Sequence, residues 1–211
     1  MLNMKKPINL LFTLLLSYLI TACSFTQNTP ITENQSQLKL QRQNQLKHIT
    51  AFQVTGSLSY FAEKSRYYGR FYLKQTSYNN YQLKLTTPIG TSIFSLNVTP
   101  SYAEYTDNKG KTYHDVNAEQ LMKNITGMDM PLKTMTKWLI GYSNDLSTDK
   151  FDNAGRLLNS KLLQANQTWD VSFNKYNKVR FSGSNIDLPT IIELNNSNNK
   201  LRLTISNWKL N

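Results

Sequence analysis

Residues Tyr81–Val98 read YQLKLTTPIGTSIFSLNV, and the fold is decided in this stretch. Tyr81, Leu83 and Leu85 alternate with Gln82, Lys84 and Thr86, a period of two that puts the apolar side chains on one face of a strand. Phe94, Leu96 and Val98 follow after an interval holding Thr87-Pro88-Ile89-Gly90. Proline suits the second position of a type I turn and glycine the fourth, so the stretch predicts two strands joined by a tight connection. The third position of such a turn usually takes Asp, Asn or Ser, and here it is Ile89. An apolar turn tip is either tucked against the body or offered to something apolar outside.

The same period extends in both directions. Upstream, Val54, Gly56, Leu58 and Tyr60 alternate with polar positions, and so do Gly69, Phe71 and Leu73. Downstream, the stretches 102–106 and 111–114 flank Asp107-Asn108-Lys109-Gly110, a hairpin turn by composition. Strand patterns resume at 156–165, 169–176 (with Val171 and Phe173 on one face), 190–195 and 200–207. The Asn/Ser-rich stretches 182–187 and 195–199 are expected to be loops. Between the two groups of strands the period becomes helical. Asn117 and Gln120 have the spacing of a capping box, Leu121, Met122 and Ile125 form a buried face, and Gly127 closes the helix. Pro131 opens a second helix, with Leu132, Met135, Trp138 and Leu139, that stops at Gly141. Residues 37–49 carry a thin apolar stripe of Leu38, Leu46 and Ile49, which predicts an amphipathic helix before the first strand.

Ten or so strands in hairpin order, interrupted by two helices, predict a mainly β (α+β) fold: one antiparallel sheet curled on itself. A closed eight-stranded barrel could hold a small ligand. A larger, incompletely closed one would need its mouth covered, and the helices at 117–140 could cover it.

The start of the chain has a different character. Lys5 and Lys6 precede an apolar run from Ile8 to Ile20, the length of a signal-peptide core, whereas a membrane-spanning helix needs roughly 20 residues. Ile20-Thr21-Ala22-Cys23 resembles a bacterial lipobox, which makes residues 1–22 a lipoprotein signal peptide and Cys23 the lipidated N-terminus. Two or more acyl chains make a stable anchor where one does not. Ser24 follows where inner-membrane lipoproteins commonly carry Asp, which points to the outer membrane. Residues 23–36 then read as lipidated N-terminus and flexible linker, and 37–211 as one domain.

Removing the leader takes two lysines from a chain of +11, leaving 22 basic against 13 acidic residues, or +9. Behind a secretion signal such a balance suits anionic headgroups or an acidic protein partner better than nucleic acid, and solubility alone would equally account for it. Cys23 is the only cysteine, so no intrachain disulfide can form.

Enzyme signatures are absent. His48 and His114 lack the neighbours of a catalytic or metal-binding cluster, and there is no nucleophile elbow, phosphate loop or dinucleotide fingerprint. No metal and no cofactor is expected, apart from the covalent lipid on Cys23. The methionines are more telling. Beyond the leader all four (Met122, Met128, Met130, Met135) fall in the helical segment. Methionine is flexible and polarizable and suits surfaces that adapt to floppy apolar ligands, though it also serves as core filler.

At these residues the chain resembles the LolB family of outer-membrane lipoprotein receptors. The resemblance is carried by Tyr81–Gly90 (YQLKLTTPIG), Asp107–Gly110 with Ala118-Glu119, the stretch 126–141 (TGMDMPLKTMTKWLIG), and Asn207-Trp208. Family members usually have Leu where this chain has the β-branched Ile89. The resemblance implies an incomplete antiparallel β-barrel of about eleven strands with a helical lid over an apolar cavity. It implies a monomer that takes acylated lipoproteins from the periplasmic carrier LolA and inserts them into the inner leaflet of the outer membrane, with no covalent chemistry. Pro88, Ile89 and Gly90 are then the membrane-transfer loop. Candidate acyl-cavity residues are Leu58, Phe71, Leu83, Leu85, Phe94, Leu96, Met122, Met128, Met130, Trp138, Leu139 and Phe173. The alternatives are a structural or assembly-factor envelope lipoprotein with a packed core, and a carrier of another lipid.

Overall fold

The computed structural model describes residues 33–210. Helix α1 (Glu33–Lys47) is followed by six strands: β1 (Phe52–Ala62), β2 (Arg66–Ser77), β3 (Asn80–Thr86), β4 (Ser92–Val98), β5 (Ala103–Asp107) and β6 (Thr112–Asp115). Helices α2 (Ala118–Thr126) and α3 (Leu132–Leu139) interrupt the strands. Five more complete the chain: β7 (Lys150–Phe151), β8 (Leu157–Gln164), β9 (Gln167–Phe181), β10 (Ser184–Asn195) and β11 (Asn199–Leu210). All eleven strands form one antiparallel sheet in the order β6-β5-β4-β3-β2-β1-β11-β10-β9-β8-β7.

This order follows from a simple path. Each hairpin adds a strand beside the last, and the final strand β11 returns to pair with β1 along its whole length. The sheet therefore has its seam at β6 and β7, which do not pair with each other. Both edge strands are short, which limits unwanted edge-to-edge pairing. The chain between them supplies α2 and α3, so the helices lie where the barrel fails to close.

The alternation seen in the sequence is the alternation of burial. Strands β1 and β3 bury every second residue, and cross-strand register aligns the buried positions into rows. One row runs Phe94–Leu85–Phe71–Gly56–Ile205 and another Leu58–Leu203–Ile192–Phe173. At Gly56 the β1–β11 register slips by a bulge, and a Cβ there would stand 2.2 Å from the Thr204 carbonyl oxygen and 2.8 Å from the Phe71 ring. Only glycine lets β11 and the Phe71 ring approach β1 this closely, and bulges of this kind are how sheets bend.

The helix signals act mostly as expected. Asn117 Oδ1 caps α2 by accepting from the amides of Glu119 and Gln120, and Gly127 ends the helix in the left-handed region. The capping box is only half made, because the Gln120 side chain donates to Asn124 Oδ1 at 2.7 Å instead of returning to the cap. Pro131 stands at the N-cap of α3 and Gly141, at φ 75°, just beyond its end.

Two expectations need correction. Residues 184–187 belong to strand β10, which leaves Ser182-Gly183, both at positive φ, as the whole β9–β10 connection. Two-residue turns of this class need only local backbone freedom, so Ser184–Asp187, with Ile186 buried, continues the hairpin that composition alone assigned to a loop. Helix α1 also begins at Glu33 and ends at Lys47, so residues 33–36, read as the end of the linker, are helical. Its apolar stripe is thinner still than expected: Leu38 is exposed, while Leu46 and, past the helix, Ile49 are buried beside the polar Arg42 and Gln43. Residues 1–32, which hold the stretch read as a signal peptide, Cys23 and the rest of the stretch read as a linker, lie outside the described residues. No helix among the described residues is long and apolar enough to cross a membrane.

Candidate acyl-chain site and transfer loop

Twelve side chains picked from alternation and from the helical segment meet in one interior. From the sheet come Leu58, Phe71, Leu83, Leu85, Phe94, Leu96 and Phe173; from the helices and the link between them come Met122, Met128, Met130, Trp138 and Leu139. Each is 3% exposed or less. A residue facing a water-filled hollow would retain accessible surface, so the interior is closed in this conformation, with the methionine segment seated on the sheet. Sequence reasoning passed over further members of the same cluster, among them Leu73, Tyr105, Val171, Leu188 and Leu203, although the same alternation marks most of them.

The methionine segment is held by polar contacts at its edges. Tyr60 Oη accepts from the Asp129 amide at 2.9 Å and donates to Asn199 Oδ1 at 2.8 Å. Tyr67 Oη donates to the Thr126 carbonyl at 3.0 Å. Burial pushes both phenols above their ordinary range, so they act as neutral hydroxyls. Thr126 Oγ1 donates to the Met122 carbonyl at 2.6 Å and accepts from the Met128 amide at 3.0 Å, which turns the chain from helix to extended link. Glu119 joins the two helices by accepting from the Lys133 amide at 3.1 Å, near the positive end of α3, and it also accepts from the Gln164 side chain on β8. The segment is thus fastened by a handful of hydrogen bonds worth about 1 kcal/mol each, around an apolar underside.

Helix α1 clamps the other end. Gln43 Oε1 accepts from the Ser143 amide at 2.9 Å, and Gln43 Nε2 donates to the Gly141 carbonyl at 3.4 Å, just past α3. The Arg42 guanidinium donates to the Asp187 carbonyl and lies over the Tyr176 ring, which Arg156 also faces. Desolvation lowers the Arg42 pKa from its ordinary value, the mark of a cation held among packed groups. Inside, Trp138 Nε1, Ser160 Oγ and Thr190 Oγ1 are buried without hydrogen-bond partners among the described residues.

Outside this interior stands the β3–β4 connection. The Gly90 amide donates to the Thr87 carbonyl at 2.9 Å and the Thr87 amide to the Thr91 carbonyl at 2.8 Å, while Gly90 takes φ 95°. This is the three-residue hairpin loop closed by a left-handed glycine, and it aims Pro88 and Ile89 outward. Ile89 is 92% exposed, the most exposed of the large apolar side chains among the described residues. The tip is offered, not tucked. No cluster of three or more metal-ligating side chains occurs among the described residues.

The family model described as "Outer membrane lipoprotein LolB" matches residues 50–208. The chain belongs to the LolB family. The Outer-membrane lipoprotein LolB of Klebsiella pneumoniae is 34% identical over 203 residues, covering 95% of this chain and 98% of that protein. LolB from Serratia proteamaculans is 32% identical over 197 residues, 93% of each chain. Among solved structures, a LolA superfamily protein from Nitrosomonas europaea superposes with a TM-score of 0.50 at 11% identity, covering 83% of this chain and 93% of that one. That likeness is one of fold. The matched span, residues 50–208, includes the sheet strands, the methionine segment and the turn at Ile89.

Proposed function

We propose that the protein receives acylated lipoproteins from the carrier LolA and inserts them into the inner leaflet of the outer membrane, itself held there by the lipid on Cys23. The observation that carries this function is the pairing of a large apolar interior, roofed by methionine-rich helices at the open seam of the sheet, with a fully exposed apolar turn. A packed structural domain would have use for the first and not the second.

The energetics explain why such a receptor is needed. An acyl chain of about fifteen methylenes released into water costs on the order of 12 kcal/mol. Cargo must therefore pass from one apolar lining to another while the two proteins touch. On this account the helical segment lifts from the sheet, acyl chains take the place of its underside against Leu58, Phe71, Leu83, Leu85, Phe94, Leu96 and Phe173, and Met122, Met128, Met130, Trp138 and Leu139 adapt around them. Opening breaks the few hydrogen bonds at Tyr60, Tyr67, Glu119 and Gln43, and burial of the cargo offsets that loss. The bilayer then takes the chains because it buries them without holding a lid open. Ile89, with Pro88 and Gly90 fixing its aim, enters the leaflet and marks the exit. Burying one such side chain contributes about 1.5–3 kcal/mol, enough to orient a tethered domain and too little to fix it in place. No covalent bond changes along this route.

The test is a two-stage handover. Labelled lipoprotein bound to LolA is mixed with the protein, and transfer is followed first to the protein and then to sedimented liposomes. Both steps are expected. A folded protein that takes no cargo from LolA would leave a structural or assembly role, and one that takes free lipid but no lipoprotein would be a carrier of another lipid.

A further inference from the structure

The outer face of the sheet beside the Ile89 turn holds a cleft that the acyl route does not use. Between Glu63 and Glu104 the chain carries five basic residues and no Asp or Glu, so strands β1 to β4 present no carboxylate. Register sets Arg70 opposite Thr86 and Tyr72 opposite Lys84, with Ser57 and Thr55 beyond them on β1. Together with Ser206 of β11 these residues line a cleft of about 510 Å³. Neither Arg70 nor Lys84 takes part in an ion pair among the described residues. They are diagonal neighbours, roughly 7–8 Å apart at their bases, so their long side chains can converge on one anion. Thr86 ends β3 and Ile89 lies three residues on, within about 10 Å of the cleft along an extended chain. The polar layer of a bilayer is roughly 5–8 Å thick on each side. With Ile89 at the edge of the hydrocarbon, the cleft stands at the depth of the lipid phosphates.

We propose that this cleft binds the phosphate of a membrane phospholipid and so sets the angle at which the turn enters the leaflet. The proposal rests on the transfer role given above to Ile89. Arg70 supplies paired N–H donors that match two phosphate oxygens, Lys84 a mobile point charge, and Ser57 and Thr55 hydroxyls. A single apolar tip leaves the domain free to rotate about it. A second contact on the adjoining face removes that freedom and holds the methionine segment in one orientation to the membrane.

The test uses the full mature chain with Cys23→Ala, since the native anchor would mask weak binding, floated with vesicles of phosphatidylethanolamine and phosphatidylglycerol. Arg70→Ser/Lys84→Ser is expected to weaken partition about thirtyfold, the equivalent of about 1 kcal/mol per cation. Arg70→Lys/Lys84→Arg should restore binding to near the parent's. Lys47→Ser/Lys137→Ser, which removes equal charge beside Tyr78 at the far end of these strands, should leave it unchanged. Equal losses in both serine pairs would mean diffuse charge and overturn the cleft. Loss with Ile89→Glu but not with Arg70→Ser/Lys84→Ser would overturn the cleft and keep the transfer loop; the opposite pattern would remove the loop and keep a lipid site. Inorganic phosphate at matched ionic strength is expected to compete poorly, and binding as tight as that to vesicles would make soluble phosphate the ligand and overturn the membrane assignment.

Discussion

Ile89 has no neighbour to stabilise it in the free protein, and nothing in the fold needs it to be apolar. Ile89→Glu should leave melting and acceptance of cargo unchanged while blocking delivery to liposomes, whereas Ile89→Leu should be nearly silent. Normal delivery by the Glu variant, measured in the second stage of the handover, would reduce the turn to a plain connection. Gly56 is the opposite case, a residue whose whole value lies in what surrounds it. Gly56→Ala would drive a Cβ into the Thr204 carbonyl and the Phe71 ring. We expect a loss of about 2–3 kcal/mol in urea unfolding, and a loss below about 0.5 kcal/mol would show that the bulge relaxes freely. Ile89 was legible in the sequence because a turn position has chemical rules. The role of Gly56 was not, because the alternation shows only that a small residue faces inward, and the close approach comes from β11, some 150 residues further on.

At the scale of elements, the helical segment 118–139 is the part expected to move. Its apolar underside is continuous with the sheet interior, and its fastenings are hydrogen bonds at the rim. A carboxylate placed under it has no partner and must either ionise in an apolar space or be protonated. Met128→Asp and Met130→Asp are each expected to abolish acceptance of acyl cargo, provided the variant still melts cooperatively. Normal acceptance by either folded variant would place that residue outside the acyl path. The helices and their caps were readable because Asn117, Gly127, Pro131 and Gly141 are local signals. Helix α1 was less so: its buried face carries Arg42 and Gln43, whose burial depends on Asp187, Gly141 and Ser143, partners remote in sequence. The start of β10 was missed for a related reason: Ser184, Asn185 and Asp187 read as loop by composition, and the strand shows only when Ile186 is paired with Val179 across the hairpin.

For the whole molecule, strand order was implicit in the succession of hairpins, while the closing of β11 on β1 was not. That long-range pairing holds the two halves of the sheet together around a core that includes Tyr60, Tyr81 and Tyr105. Burial pushes the Tyr105 phenol up to about 12, and Tyr81 and Tyr176 are raised as well. A folded-state pKa above the unfolded value of 10.0 means that the unfolded chain loses its phenolic protons first. The stability from these groups is full below about pH 10 and declines as pH rises toward 12. The melting temperature should therefore fall steadily across that window, and a flat profile by circular dichroism would show that these phenols ionise without opening the fold.

The central claim is that acyl chains enter the closed interior beneath the methionine segment. Because Met122, Met128, Met130 and Met135 are the only methionines after Met4, photo-methionine incorporated into a chain that starts at position 23 reports on that segment alone. The protein is loaded with an acyl-labelled lipoprotein from LolA, irradiated and digested. We predict that the acyl label becomes covalently joined to peptides spanning 122–135, with Met128 and Met130 carrying most of it. A stably loaded complex with no acyl label on that segment would contradict the account.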